Sequence, residues 1–232
     1  MGWIPDLPDA RDFTCVHAEI AALLEQLKPF GTSELPDEVD LRQDACEEVE
    51  FFSPPEDQGT LNSSSAFAAL SLVEYFERRC CGRTFEGSKL FLYKVTRNRL
   101  RLRGDTGADL RTTLKTIVQF GVPPERYWPY DVVKFDEEPS PFLYRIAKPL
   151  SCIRYFRLDR PNADGKTNWQ TVKLFLAAGF PIAFGFSVPS SLTDSAKIPY
   201  RPDFDSIRGG QAVVAIGYRL NHFARGQHAL LI

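Results

Sequence analysis

Apolar positions crowd together between residues 63 and 81. Ala66, Phe67, Ala69, Leu70, Leu72, Val73 and Phe76 leave almost no polar face. A helix that is apolar nearly all round is buried in the middle of its lobe. Ser63, Ser64 and Ser65 supply N-cap chemistry at its start, and Gly82 stops it. Residues 88–98 and 108–120 predict two more helices, the second closed by Gly121 and Pro123. Residues 16–28 carry Ile20, Leu23, Leu24 and Leu27 at helical spacing, and 141–148 reads as a short helix.

The pattern then changes. Residues 153–158, 181–188, 211–218 and 228–232 are rich in β-branched and aromatic residues and read as strands, with a helix over 169–178. A weaker strand falls at 49–52, inside a loop from 31 to 60 punctuated by Gly31, Pro36, Pro54, Pro55 and Gly59. Helices first and strands later imply an α+β chain of two lobes, with a boundary near 135–150.

The chain has 232 residues, enough for one two-lobed domain or two small ones. Its 44% hydrophobic and 25% charged residues suit an ordinary globular protein. A net charge of −2 gives no general pull toward nucleic acid or an anionic membrane. No apolar run reaches the roughly 18 residues of a membrane span. Residues 1–11 lack the basic start and apolar core of a secretory signal, so a cytoplasmic location is expected. Cys15, Cys46, Cys80, Cys81 and Cys152 form an odd, scattered set. They read as buried or semi-buried free thiols, with neither a disulfide framework nor the ligand spacing of a zinc site, and no metal or cofactor is expected. Arg97, Arg99, Arg101 and Arg103 read as a solvated loop, with a patch for an acidic partner as the lesser alternative. The Tyr127-Trp128-Pro129-Tyr130 turn reads as packing.

Two blocks carry more than packing. Gln58-Gly59-Thr60-Leu61-Asn62-Ser63-Ser64-Ser65-Ala66-Phe67 resembles the papain-type block Q-G-x-x-G-S-C-x-A-F. Gly209-Gly210-Gln211-Ala212-Val213-Val214-Ala215-Ile216-Gly217-Tyr218 resembles the same family's G-G-H-A-V-x-A-x-G-Y. Their separation of about 150 residues also fits. Leu35-Pro36-Asp37-Glu38-Val39-Asp40 is similar to the start of the family's mature domain. Gly121-Val122-Pro123-Pro124-Glu125 with Trp128-Pro129-Tyr130 is similar to its G-V-x-x-E…W-P-Y stretch. Gly2-Trp3-Ile4-Pro5-Asp6-Leu7-Pro8-Asp9 resembles the opening of bacterial members. The resemblance implies a papain-like fold over residues 35–232, with 1–34 as an arm and helix. The helical lobe would run to about residue 145 and the β-rich lobe over about 150–232, with a cleft between them.

In that family a cysteine thiolate at a helix N-terminus is the nucleophile. An imidazole serves as base and then acid, and an asparagine orients it. A glutamine amide and a backbone N–H stabilise the oxyanion, each worth about 3–4 kcal/mol. The resemblance maps the glutamine onto Gln58, the nucleophile onto Ser64 and the base onto Gln211. A serine hydroxyl depends on a base, and a glutamine amide cannot take a proton. No N-S-W-G-type segment follows the last strand, and Asn62 replaces a glycine beside the helix start, where it would crowd the approach. His222 and His228 follow the Gln211 strand, at a turn and at a strand start, out of place for a substitute base. The expectation is therefore a pseudopeptidase that binds a protein or peptide partner. Gly59, Asn62, Ser63, Ser65, Gly209 and Gly210 would line the remnant peptide cleft. The alternatives are a hydrolase working through Ser64, a cysteine peptidase inactivated by engineering, or a structural subunit of a larger assembly. Oligomeric state is left open.

Overall fold

The computed structural model describes residues 2–7, 9–14, 17–26, 35–42, 50–147, 154–159, 164–193, 197–198, 201 and 203–232. The chain folds as two compact units, each assembled from three segments. The first comprises Met1–Asp6, Pro54–Ile153 and Ala183–Val213; the second comprises Leu7–Ser53, Arg154–Ile182 and Val214–Ile232. The sequence pattern places one lobe boundary near 135–150, whereas each compact unit draws on three separate stretches of chain.

The first unit is built on helix α2, Ser64–Cys81, with α3 (Lys89–Leu100), α4 (Leu110–Phe120) and α5 (Pro141–Ala147). These fall within a residue or two of the pattern-based spans. Ala66, Ala69, Leu70 and Val73 of α2 pack with Leu92 and Tyr93 of α3, Ile117 of α4 and Val122. A second cluster joins Leu90, Phe91 and Val95 of α3 to Leu61, Trp128, Leu143 and Ala147. The small side chains of α2 let its neighbours approach closely, and complete burial of a residue such as Leu70 contributes about 2–3 kcal/mol. Helix ends follow local chemistry. Ser88 accepts the Phe91 N–H at the start of α3, Asp109 accepts the Thr112 N–H at 2.6 Å, and Gly82 closes α2 with φ 60°. Strands β2 (Ile182–Pro189) and most of β3 (Ile207–Ala215) complete this unit as a two-stranded pair.

The basic stretch is not the solvated loop its composition suggested. Arg97 lies within α3 and is 0% exposed. Its guanidinium donates to the carbonyls of Gly104 and Phe135, meets Asp136 at 3.1 Å and stacks 4.5 Å from the Tyr93 ring centroid. Arg99 donates to Gln119. Only Arg101 and Arg103 of that stretch are exposed.

The second unit contains α1 (Ala18–Gln26), β1 (Glu38–Asp40), α6 (Gly165–Ala177), β4 (Gly217–Ala224) and β5 (Gln227–Leu231). Its sheet has the order β1–β4–β5, antiparallel, with Val39 opposite Tyr218 and Tyr218 opposite Leu230. The strand expected to run unbroken over 211–218 ends at Ala215 and restarts at Gly217. Ile216 is still paired: its N–H donates to the Leu231 carbonyl and its own carbonyl accepts the Leu41 N–H, both at 2.8 Å. A Cβ on Gly217 would stand 2.0 Å from the Val39 carbonyl oxygen, so β1 can lie there only against glycine. Tyr218 donates to the Pro36 carbonyl at 2.7 Å, and Trp169 of α6 meets its ring edge-on.

Other expectations need adjustment. Residues 50–52 form no strand, although Phe51 gives its N–H to Arg42. Residues 154–158 contribute only an isolated bridge between Arg157 and Thr14. Val49, Ile153 and the ends of the 16–28 helix lie outside the described residues, as do Cys15, Cys46 and Cys152. Cys80 and Cys81 are free and exposed rather than buried, because they occupy the last turn of α2, beyond the core. No described helix is long and apolar enough to cross a membrane.

Arg97→Met keeps most of the side-chain volume but strands the carbonyls of Gly104 and Phe135, while Asp136 keeps Lys94 at 3.1 Å. It should lower stability by about 2–4 kcal/mol with an unchanged m-value in urea unfolding. A loss below about 1 kcal/mol would show that the guanidinium bonds contribute little net stability.

Candidate functional site

Three consecutive serines open α2, and each points its hydroxyl at a different segment. Ser63, at the cap position, makes no side-chain cap bond; its Oγ lies 2.6 Å from the Tyr130 hydroxyl. The expected capping chemistry is thus displaced by a long-range partner. Ser64 Oγ accepts the Ala212 backbone N–H at 3.2 Å. Ser65 Oγ donates to the Ala108 carbonyl at 2.5 Å. All three are buried, and Ser64 is 1% exposed.

Gln58 and Gln211 are brought together. Gln58 Nε2 donates to the Leu61 carbonyl at 2.6 Å. A carbonyl can only accept, so this bond fixes which way the amide faces and turns Gln58 Oε1 to Gln211. Gln211 Nε2 donates to that oxygen at 3.0 Å. The side chain at 211 is therefore spent on Gln58, and the hydroxyl of Ser64 is held by the neighbouring main chain. An amide pair of this kind transfers no proton near neutral pH.

Tyr130 is a site residue that composition gave no reason to choose. Its hydroxyl, besides meeting Ser63, donates to the Gln58 carbonyl at 2.8 Å. It therefore ties the segment before α2 to the first residue of the serine run. Glu125 holds Tyr130 in turn. One carboxylate oxygen accepts the Tyr130 N–H at 2.5 Å and the other accepts the Lys89 N–H at 3.2 Å. Burial pushes the Glu125 carboxyl above its ordinary range, against the pull of the Tyr130 N–H and the Lys89 charge. Burial likewise raises the Tyr130 phenol, which stays protonated. The spacing from Glu125 to Tyr130, noticed as a family landmark, is the mechanical support of the site.

Asn62 is pinned rather than left to crowd the helix start. Its N–H and Nδ2 bind Asp105 at 2.8 and 3.0 Å, and Tyr93 donates to the same carboxylate. Against this frame runs the chain's own arm. Trp3 N–H donates to the Gly210 carbonyl at 3.1 Å, Ile4 N–H to the Ala108 carbonyl at 3.1 Å, and Ala108 N–H to the Gly2 carbonyl at 2.8 Å. A Cβ on Gly2 would stand 1.8 Å from the Asn62 carbonyl oxygen, and one on Gly185 2.0 Å from the Trp3 ring. The main-chain groups of Ala108 and the Gly210 carbonyl are thus used internally by Gly2–Ile4. Gly59 is a turn residue with φ 61°, its N–H on Asp57, and Gly209 lies within β3 beside Gly210.

The histidines are engaged locally. His228 stacks on Trp169 and accepts the Asn221 N–H; His17 binds Thr14. His222 sits inside β4 against Phe223 rather than in a turn, because the turn falls at 225–226. Among the described residues no group of three or more His, Cys, Asp or Glu is placed to share a metal ion.

Known proteins place this arrangement in a class. No protein-family model matches the chain. An uncharacterised peptidase C1-like protein of Acanthamoeba polyphaga mimivirus is 32% identical over 237 aligned positions, covering 95% of this chain and 73% of the viral protein. Xylellain, a cysteine protease from Xylella fastidiosa, superposes with a TM-score of 0.73 at 26% identity, over 99% of this chain and 88% of that one. A procathepsin L2 proteinase from the larval midgut of Tenebrio molitor shares the fold with a TM-score of 0.69 at 19% identity, over 99% of this chain and 66% of that one. The chain belongs to the papain-like, peptidase C1-like family, and its fold is α+β.

Tyr130→Phe removes the hydroxyl that joins Ser63 to Gln58 and leaves a buried oxygen on each side unpaired. It should cost about 1–3 kcal/mol in thermal or urea unfolding. A neutral result would mean that the Ser63 and Gln58 oxygens find other partners.

Proposed function

We propose that this protein is a pseudopeptidase: a papain-like fold that holds extended polypeptide without cleaving it. One observation carries the reading. The Ser64 hydroxyl is buried with the Ala212 N–H as its partner, while the amide at 211 is turned onto Gln58 and supplies no base. A serine without a base is a weak nucleophile, and in a unit whose parts act together the loss of the base alone can remove about six orders of magnitude in kcat. One N–H of Gln58 is also committed to Leu61, which weakens the oxyanion side.

The binding half of the proposal draws on what the arm does. Residues Gly2–Ile4 lie extended and use the main-chain groups of Ala108 and Gly210, the mode in which grooves hold peptides by backbone hydrogen bonds. A protein or peptide partner in the same mode must displace this arm. Exposure of the wild-type protein to a fluorophosphonate and to a quenched peptide library should give no Ser64 adduct and no turnover. An adduct at Ser64, abolished by Ser64→Ala, would instead support the hydrolase reading.

A further inference from the structure

A cleft of about 590 Å³ opens beside the end of α3, lined by Lys94, Asn98, Arg101, Leu102, Arg103, Asp136 and Glu138. The buried Arg97 guanidinium ties its two walls together. It donates to the Gly104 carbonyl on one side and to the Phe135 carbonyl on the other, and meets Asp136 at 3.1 Å. The main chain of the first wall is fixed as well. Arg101 N–H donates to the Asn98 carbonyl at 3.1 Å, and Leu102 N–H to the Arg97 carbonyl at 3.0 Å. The carboxylates of the second wall are already matched. Lys94 stands 3.1 Å from Asp136 and 2.9 Å from Glu138, and Asn98 donates to Glu138 at 2.8 Å. The two acids thus balance Lys94 and Arg97. Arg101 and Arg103 are the surplus: both are exposed, and neither guanidinium has a partner among the described residues. Arg101 also holds a place where glycine is the unstrained choice. It ends α3 with φ 57°, as Gly82 ends α2 with φ 60°. A side chain held in the left-handed region against that preference points to a use for the guanidinium.

We infer that this cleft docks an acidic segment of a partner protein, its carboxylates received by Arg101 and Arg103. A guanidinium fork takes a carboxylate through two parallel N–H donors, and a preformed cleft loses little freedom on binding. The second wall selects a peptide over a compact polyanion. The side chains of Asp136 and Glu138 stay 52% and 67% exposed, and repel phosphates packed across the cleft. A peptide can place its carboxylates on the arginine wall and face the other with neutral groups. The whole chain carries a net charge of −2, so an acidic ligand is drawn by this local surplus and not by the protein's overall field. No residue of the cleft belongs to the Ser64 site, and the inference stands whether or not that site reacts.

The test is fluorescence anisotropy on the full chain with a short coumarin-labelled peptide of alternating Glu and Gly, beside its Gln–Gly counterpart. The acidic peptide should bind saturably at low salt, and the neutral one should not. Arg101→Gly and Arg103→Gln should each weaken binding by roughly threefold to fivefold, and together by roughly tenfold or more. Arg101→Gly should leave the melting temperature unchanged or raised, because glycine adopts φ 57° without strain; its lost binding is then not a lost fold. Arg83→Gln, at the exposed end of α2, should bind as the wild type does. The inference is wrong if the acidic peptide shows no saturable binding up to about 1 mM, or binds the double variant as tightly as the wild type. An equal loss in Arg83→Gln would also overturn it. So would tighter binding of inorganic polyphosphate or a deoxythymidine oligomer than of the peptide, because the protein would then be reading phosphate.

Discussion

The start of α2 is fixed by three buried hydroxyls, and much of the first unit is arranged to receive them. Ser63 meets Tyr130, Ser64 meets the β3 main chain at Ala212, and Ser65 meets Ala108. A buried hydroxyl without a partner costs about 1–3 kcal/mol, so each of these contacts constrains the segment it reaches. Tyr130 is placed by Glu125, and Glu125 by the first N–H of α3. Ala108 is the residue on which the arm pairs. The helix terminus is thus a hub whose position is set by long-range polar contacts, while its apolar body only demands burial.

That hub explains how the family framework tolerates the residues at 64 and 211. A cysteine and histidine facing each other form an ion pair and exchange a proton; serine and glutamine do neither. Here the two positions are satisfied separately. The hydroxyl takes a backbone N–H and the amide takes another amide, so no buried polar group of either residue forces the framework to move.

The sequence made some of this legible. The span of α2, the stop at Gly82 and the four later helices follow from apolar density, caps and glycines, which are local signals. The blocks around Ser64 and Gln211 mark the candidate site because their register is distinctive, and the structure brings Gln58 and Gln211 into contact there. Other features were beyond that kind of reading. Arg97 looks like its exposed neighbours in sequence, and partners distant from it in sequence, the Phe135 carbonyl and Asp136 among them, make its burial possible. Ser63 looks like an N-cap, yet its partner is 67 residues away. The break between β3 and β4 at Ile216 leaves no mark in the β-rich pattern, because that residue remains hydrogen-bonded on both sides. Periodicity reports that a side chain is buried; it does not report what meets it there.

The arm illustrates the same limit from the other direction. Its sequence is short and carries no periodic pattern, yet the surface is shaped for it. A Cβ at Gly107 would come within 2.4 Å of the Gly2 carbonyl oxygen, and one at Gly210 within 2.3 Å of the Trp3 carbonyl oxygen. Such approaches of backbone to backbone are open only to glycine, so the fit is written into both partners rather than into the arm alone. Apolar and main-chain contacts of this kind do not change with pH across the neutral range. Asp6 is the group of the arm that does: burial pushes its carboxyl up to about 7, while its Oδ1 accepts the Arg111 N–H at 3.1 Å and ties the arm to the start of α4.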